Sequence, residues 1–160
     1  MILLTKDQSK NLDKKSVIKY NIPESQLMDS AARCIFDYIE NYKNTSYKRP
    51  RILILCGKGN NGGDSICLAI MLKKAGYDIH VHFLIKNNQI SGLSLKYHDK
   101  YLELSGSISY GIEIDKFDDF DFVIDGIIGI GFRETLSQDL IDWVNWINHS
   151  NLFVLSVDIP

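Results

Sequence analysis

The 160-residue sequence has few cysteines, few prolines and almost no net charge. Its three cysteines, Cys34, Cys56 and Cys67, are odd in number and form no Cys-x-x-Cys motif. A disulfide framework is therefore not predicted, and we expect reduced thiols. A formal net charge of −2 provides no basic surface for nucleic acid, so we expect no nucleic-acid partner.

Long apolar runs are also absent. No stretch approaches the roughly 20 apolar residues of a membrane-spanning helix. The four apolar residues that open "MILLTKDQSK" are too few for a signal-peptide core. We therefore expect no membrane partner and a cytoplasmic location. His80 and His82 alternate on a strand with no cysteine nearby, so we interpret them as packing residues rather than zinc ligands.

The first 45 residues predict two helices ahead of the main fold. Thr5 and Gln8 have the spacing of a capping box, and the helix they begin should reach about Tyr20. Pro23 suits the first turn of a second helix. Apolar residues recur in that helix at three- and four-residue steps, at Leu27, Met28, Ala31, Ala32, Ile35, Phe36 and Ile39. We interpret this stripe as core packing.

Residues 51–160 alternate between strands and helices. The predicted strands are "RILILC", "DIHVHFLI", "SISYG", "DFVIDGIIG" and "LFVLSVD". The predicted helices are Asp64 to Ala75, "SLKYHDKYLEL" and "SQDLIDWVNWINHS". This alternation is typical of a parallel sheet covered by helices on both faces. We predict one domain over residues 1–160, with a three-layer α/β/α Rossmann-like fold, a mainly parallel sheet and an N-terminal helical pair (residues 1–45).

Three segments at or just after the ends of predicted strands each carry an aspartate. "GKGNNGGD" follows the first strand and ends at Asp64, "DGIIGIGFRET" begins at Asp125, and "DIP" begins at Asp158. Open parallel sheets bind ligands beyond the carboxyl ends of their strands, so we expect these segments to lie together. Glycines let backbone amides approach an anion, and aspartates bind cations or transfer protons. Each aspartate alone also fits a helix cap or a turn.

The first loop matches the dinucleotide-binding pattern G-x-G-x-x-G at Gly57, Gly59 and Gly62. That pattern also expects an acidic residue at the end of the second strand, to bind the ribose. Lys86 stands there instead, which disfavours an ordinary NAD-dependent dehydrogenase.

Together, the motifs resemble those of the NAD(P)H-hydrate epimerase family, whose domain is also called the YjeF N-terminal domain. "GKGNNGGD" is similar to its G-x-G-N-N-G-G-D loop, "VIDGIIGIG" to its V-D-A-[LF]-[FL]-G-[TI]-G segment, and "SVDIP" to the start of its V-D-I-P-S-G motif. The resemblance implies an isomerase that interconverts the R and S forms of hydrated NADH and NADPH (NADHX and NADPHX). It also implies a homodimer, a potassium ion, and functional coupling to a separate NAD(P)HX dehydratase.

The resemblance also implies roles for residues by motif position. Substrate contacts are implied at Asn60, Asn61, Gly62, Gly63, Asp64, Gly129, Ile130, Gly131, Phe132, Arg133, Glu134, Thr135 and Asp158. Potassium ligands are implied at Asn61 and Asp125. For the proton transfer we name Asp158 first and Asp64 second as the catalytic carboxylate.

The sequence departs from the family pattern at three positions. Ser65 replaces the glycine that usually follows the asparagine motif, and we expect it to be tolerated; Ala32 replaces the last glycine of the family's I-P-x-x-x-L-M-[ED]-x-A-G signature. The chain stops at Pro160, before the family's Ser-Gly, whose serine is normally a potassium ligand. We therefore expect an ion site short of one ligand, in a truncated product, a split gene or a protein completed from elsewhere. The alternative function is a non-catalytic nucleotide-binding or scaffold module of the same fold, which the intact motif and Asp125 disfavour.

Overall fold

The structure is a computed structural model that describes residues 4–43, 50–114, 117, 119–132 and 135–158. Arg133, Glu134 and Pro160 lie outside these ranges. The α-helices are α1 (Lys6–Tyr20), α2 (Glu24–Lys43), α3 (Asn60–Lys74), α4 (Gly92–Glu103) and α5 (Gln138–His149). The strands are β1 (Arg51–Cys56), β2 (Asp78–Phe83), β3 (Ser107–Tyr110), β4 (Phe122–Gly126) and β5 (Phe153–Ser156). No helix in the described ranges is long and apolar enough to cross a membrane.

The strands form a single sheet in the order β3-β2-β1-β4-β5, and each pairing within it is parallel. The chain builds outward from β1 through β2 to β3, and then returns to place β4 on the other side of β1. The direction of winding therefore reverses between β1 and β4. In open parallel sheets the crevice at such a reversal, beyond the carboxyl ends of the strands, is the usual ligand site.

The two faces of the sheet carry separate hydrophobic cores because successive strand residues point in opposite directions. In β1, Ile52 and Ile54 join the core beneath α2, α3 and α4. Leu53 and Leu55 point to the other face and join the core that contains Trp143 of α5. Burying each such side chain contributes about 1.5–3 kcal/mol, so β1 is the most strongly anchored strand. The predicted three-layer α/β/α fold is confirmed; the single-domain boundary stays a prediction.

The two N-terminal helices are anchored to different extents. α1 begins with the predicted capping box: the Gln8 N–H donates to Thr5 Oγ1 (3.3 Å), and the Thr5 N–H donates to Gln8 Oε1 (2.8 Å). No residue of α1 is buried, whereas α2 buries Met28, Ala32 and Ile39. The apolar stripe of α2 is therefore core packing, as predicted.

The helix after the glycine loop begins at Asn60 rather than at the predicted Asp64. Glycine has low helix propensity, so Gly62 and Gly63 argued against a helical first turn. In the structure both glycines are buried against neighbouring backbone and side chains. This tertiary packing outweighs the low helix propensity of glycine. Residues Asn60 to Gly63 therefore form the first turn of α3.

His80 and His82 are packing residues, as predicted. The His80 ring nitrogens lie 2.8 Å from Ser107 Oγ and 2.6 Å from Ser109 Oγ. The His82 ring nitrogens lie 2.7 Å from Ser109 Oγ and 3.0 Å from the Gly111 carbonyl oxygen. Burial lowers the pKa of His82 to about 4. These side chains tie β2 to the edge strand β3.

Candidate functional site

The glycine loop lies over the carboxyl ends of β1 and β4. The Gly57 N–H donates to the Gly126 carbonyl (3.0 Å), which extends the contact between these strands by one residue. A Cβ on Gly57 would lie 1.9 Å from the Ile127 carbonyl oxygen, and a Cβ on Gly62 would lie 2.1 Å from the Gly57 carbonyl oxygen. Both distances are far below van der Waals contact with backbone atoms. Replacing Gly57 or Gly62 with any other residue would therefore require a backbone shift.

Two helices hold the loop from its other side. The Ser94 hydroxyl of α4 donates to the Gly59 carbonyl (3.2 Å), which also accepts the Gly63 N–H (3.0 Å). A Cβ on Gly63 would lie 2.6 Å from Met28 Cε of α2. Met28 and Ser94 therefore position the first turn of α3. Neither residue was predicted as part of the site, because these contacts join elements far apart in the chain.

Asn61 is the buried polar side chain of the loop, at 8% exposed. Its Nδ2 donates to the Ile128 carbonyl (2.9 Å), in the segment that follows β4. Its Oδ1 is buried and has no hydrogen-bond partner among the described residues. An unsatisfied buried acceptor costs about 1–3 kcal/mol. A bound cation or hydrogen-bond donor would remove that cost.

Asp125 lies at the end of β4, next to the segment that Asn61 contacts. Its Oδ1 accepts the Ile127 N–H (3.0 Å), and its Oδ2 accepts the Ser156 hydroxyl (3.4 Å). Burial raises the pKa of this carboxyl, and these two hydrogen bonds oppose the rise. Carboxylate and amide oxygens are the donors that hard cations prefer. The chemistry of Asn61 and Asp125 therefore fits a potassium ion.

Asp64 and Asp158 are the remaining carboxylates of the crevice. Burial, followed by the charges of Asp158 and Asp13, raises the pKa of Asp64 to about 7. Asp158 follows β5, and its Oδ2 accepts the Ile130 N–H (2.5 Å). A carboxyl with a pKa near 7 both donates and accepts protons at neutral pH. Asp13 belongs to α1 and was not predicted as part of the site.

The three segments that the sequence predicted to converge do so. Asn61 of the glycine loop contacts Ile128, and Asp158 contacts Ile130, so both reach the segment that follows β4. In the same segment the Phe132 N–H donates to the Gly129 carbonyl (3.0 Å) and forms a turn. Of the predicted site residues that the structure describes, the exposed ones are Asn60, Gly131, Thr135 and Asp158. The roles of all these residues stay predictions.

A second cleft, of about 1080 Å³, lies between α2, α3 and α4 and contains none of the predicted site residues. At one side of it, Asp29 Oδ1 accepts hydrogen bonds from Cys67 Sγ (3.1 Å) and from the Tyr97 hydroxyl (2.8 Å). One carboxylate oxygen thus links three helices. We interpret this cluster as helix packing rather than as a reaction site. Cys67 is a free thiol, like Cys34 and Cys56.

These features define a class: parallel α/β proteins with a Rossmann-like fold and a glycine–asparagine loop at the reversal of the sheet. The chain also matches the family model described as "YjeF-related protein N-terminus" over residues 24–160. It therefore belongs to that family.

Comparison with curated proteins finds relatives along the whole chain. The NAD(P)H-hydrate epimerase of Entamoeba histolytica is 31% identical over 160 residues, which cover 100% of this chain and 70% of the relative. That of Oenococcus oeni is 28% identical over 163 residues, covering 99% of this chain and 74% of the relative. The bifunctional NAD(P)H-hydrate repair enzyme Nnr of Dictyoglomus turgidum is 30% identical over 164 residues, and the chain spans only 31% of its length.

A solved structure supports the fold. The crystal structure of yeast ynu0, YNL200c, superposes with a TM-score of 0.87, covering 100% of this chain and 71% of the yeast chain. The two sequences are 19% identical, so the similarity establishes a common fold.

Proposed function

We propose that this protein is an NAD(P)H-hydrate epimerase that interconverts the R and S forms of NADHX and NADPHX. The observation that carries the proposal is Asp64, a carboxyl with a pKa of about 7 near the start of α3, at the family's motif position. The relatives named NAD(P)H-hydrate epimerase align with nearly the whole chain, which supports the same assignment.

The proposed substrate carries its hydroxyl on C6 of the nicotinamide ring, next to the ring nitrogen. The configuration of C6 inverts when its bond to oxygen or to nitrogen breaks and re-forms on the opposite face. Either route needs one group that gives a proton and takes it back. Asp64 meets this requirement because its pKa of about 7 leaves it close to half protonated at neutral pH. We therefore place Asp64 ahead of Asp158, reversing the order expected from the sequence.

The pyrophosphate of the dinucleotide is proposed to bind at the start of α3. Gly59 is the N-cap residue of this helix, and it offers no side chain to satisfy the first amides. The N–H groups of a first helical turn lack intrahelical partners and carry partial positive charge, so they attract phosphate. Lys58, exposed in the same loop, adds a positive charge.

We further propose that Asn61 and Asp125 hold a potassium ion. Support comes from the buried Asn61 Oδ1, which lacks a partner in the described part of the chain, and from the Asp125 carboxylate. Asn61 contacts Ile128 and Asp125 contacts Ile127, so both side chains reach the segment that follows β4. A bound ion supplies positive charge next to the substrate. The Asn61 and Asp125 side chains would hold that charge in place without transferring protons.

Two partners complete the proposal. A homodimer is proposed from the family resemblance. Functional coupling to a separate NAD(P)HX dehydratase is proposed because the Nnr relatives are named as bifunctional repair enzymes. An epimerase alone restores no cofactor, so its product must pass to an enzyme that removes water.

The test is a coupled assay. R-NADHX is supplied with an S-specific dehydratase, and NADH recovery is followed with and without this protein, in potassium and in sodium buffer. We expect faster recovery with the protein, and the largest rate in potassium. If recovery stays at the spontaneous rate in both buffers, the epimerase proposal is wrong. NADHX binding without acceleration would instead support the non-catalytic nucleotide-binding module.

A further inference from the structure

Ser65 and Gly126 lie directly against each other beneath the crevice. Ser65, in the second turn of α3, is 0% exposed, and Gly126 is the last residue of β4. A Cβ on Gly126 would lie 1.8 Å from Ser65 Oγ, 2.8 Å from Ser65 Cβ and 2.9 Å from the Leu55 carbonyl oxygen, so Ser65 makes the closest of the three contacts. The serine side chain therefore occupies the space that a side chain at position 126 would need. The α3–β4 contact at this point has room for one small side chain, not for two.

The Ser65 hydroxyl also holds Asn61. Its Oγ donates to the Asn61 main-chain carbonyl (2.8 Å), one turn earlier in α3. The Asn61 side chain in turn contacts the Ile128 carbonyl, and its Oδ1 is the buried acceptor without a partner in the described residues. Serine bonded to the carbonyl four residues earlier alters the local direction of a helix. Loss of this hydroxyl is therefore expected to move the Asn61 side chain.

A change at Gly126 is expected to move Asp125, just as a change at Ser65 is expected to move Asn61. It follows Asp125 directly in β4, and its carbonyl accepts the Gly57 N–H (3.0 Å). A methyl group at position 126 would push α3 away or move the end of β4. Either movement changes the distance between the glycine loop and Asp125. Asn61 is thus joined to Ser65 by a hydrogen bond, and Asp125 is joined to Gly126 by a peptide bond.

We propose that Ser65 and Gly126 are an interdependent pair of positioning residues that sets the separation of Asn61 and Asp125. Neither residue touches the proposed substrate or ion. The size of each limits the size of the other, so a methyl group at position 126 disturbs the contact less when residue 65 is glycine than when it is serine. Only the expected effect on catalysis rests on the proposed function; the packing of the pair and its effect on Asn61 do not.

A double-mutant cycle with Ser65→Gly, Gly126→Ala and the combined variant tests the pairing. Two readouts are independent of activity: the Tm and the side-chain amide NMR signal of Asn61. Gly126→Ala overpacks the contact and should lower the Tm by about 5 °C, and Ser65→Gly should lower it by a similar amount. Both single variants should shift the Asn61 signal. The combined variant should lose clearly less Tm than the sum of the two, because Ser65→Gly removes the main clash of the new methyl group. Its Asn61 signal should stay shifted, as in Ser65→Gly, because the Ser65 hydroxyl is absent from both.

Gly131→Ala combined with Ser65→Gly is the matched control. No atom of the described residues lies within 4 Å of a Cβ at Gly131, so its effect on the Tm should simply add to that of Ser65→Gly. Additive losses in the Ser65–Gly126 cycle, or an Asn61 signal unmoved by Ser65→Gly, would overturn the pairing.

Catalysis supplies a separate readout. If the proposed function holds, each single variant should raise the potassium concentration needed for half-maximal rate, and the combined variant should raise it by clearly less than the product of the two single effects. If the unchanged protein is inactive but the Tm cycle is coupled, the proposed function fails and the pairing stands. If the protein is active but the Tm cycle is additive, the proposed function stands and the pairing fails.

Discussion

The start of α3 and the segment after β5 both bring an aspartate to the crevice, but the surroundings of the two aspartates differ. Asp64 lies in a turn enclosed by β1, α2 and α4, and burial is the largest cause of its raised pKa. Asp158 is exposed and is linked to the site by one hydrogen bond, from the Ile130 N–H. Burial disfavours the charged form of a carboxyl, so the enclosure of Asp64 makes it an acid that works near neutral pH.

The largest effect on stability is expected from Gly62→Ala, because Gly62 is packed tightly in the first turn of α3. The new Cβ would lie 2.1 Å from the backbone oxygen of Gly57, which cannot rotate away. We expect a loss of about 3 kcal/mol or more in the free energy of unfolding, measured by urea denaturation. Gly131→Ala is the control, because its Cβ would meet no atom of the described part of the chain within 4 Å and its φ is not positive. It should change the same free energy by less than about 0.5 kcal/mol. Equal losses in the two variants would contradict the tight packing of the loop.

Asp64→Asn and Asp158→Asn compare the two carboxylates in catalysis. Asparagine has nearly the same shape but transfers no proton. We expect Asp64→Asn to lower kcat by about 100-fold or more, since general acid–base groups contribute at least that much. Asp158→Asn should cost less, about tenfold, because its amide oxygen still accepts the Ile130 N–H. Steady-state rates in the coupled assay measure both, with the Tm of each variant as the folding control. A larger loss in Asp158→Asn would restore the order that the sequence suggested.

The smallest effect is expected from Asp13→Asn. Asp13 lies on α1, and its negative charge is the third cause that raises the pKa of Asp64. Removing a nearby negative charge favours the ionised carboxylate, so the pKa of Asp64 should fall from about 7 by a few tenths of a unit. An NMR titration of the Asp64 carboxyl carbon measures this shift without any need for activity. Asp7→Asn, on the same helix, is the control and should leave the titration unchanged. A pKa that does not move in Asp13→Asn would exclude α1 from the electrostatics of the crevice.

Much of the fold follows from local patterns in the sequence. The capping box at Thr5, the apolar stripe of α2 and the apolar runs of β1 and β4 each predict an element that the structure contains. The start of α3 was predicted four residues too late, because the glycines of the motif weaken a helix when judged by propensity alone. Their close contacts with Gly57 and Met28 involve residues outside the helix, so local patterns contain no information about them.

The candidate site was predicted in part. Strand-end aspartates and the glycine–asparagine motif located the crevice, since parallel strands end at one edge of the sheet. Met28, Ser94 and Asp13 were missed because they approach the crevice from α2, α4 and α1. The sequence also marked Ser65 as a departure that should be tolerated, without connecting it to Gly126. Glycine at 126, where the family segment has alanine, leaves the space that the Ser65 side chain occupies.

By itself, the sequence determined the kinds of element, their order and the identity of the chemical groups at the strand ends, because these depend on short-range spacing and residue type. Only the tertiary structure decided which aspartate is enclosed, which acceptor of Asn61 lacks a partner among the described residues and which small residues must match in size. Burial and steric fit arise between segments that are distant in the chain. They therefore take definite values only once β1, β4 and their covering helices have packed together.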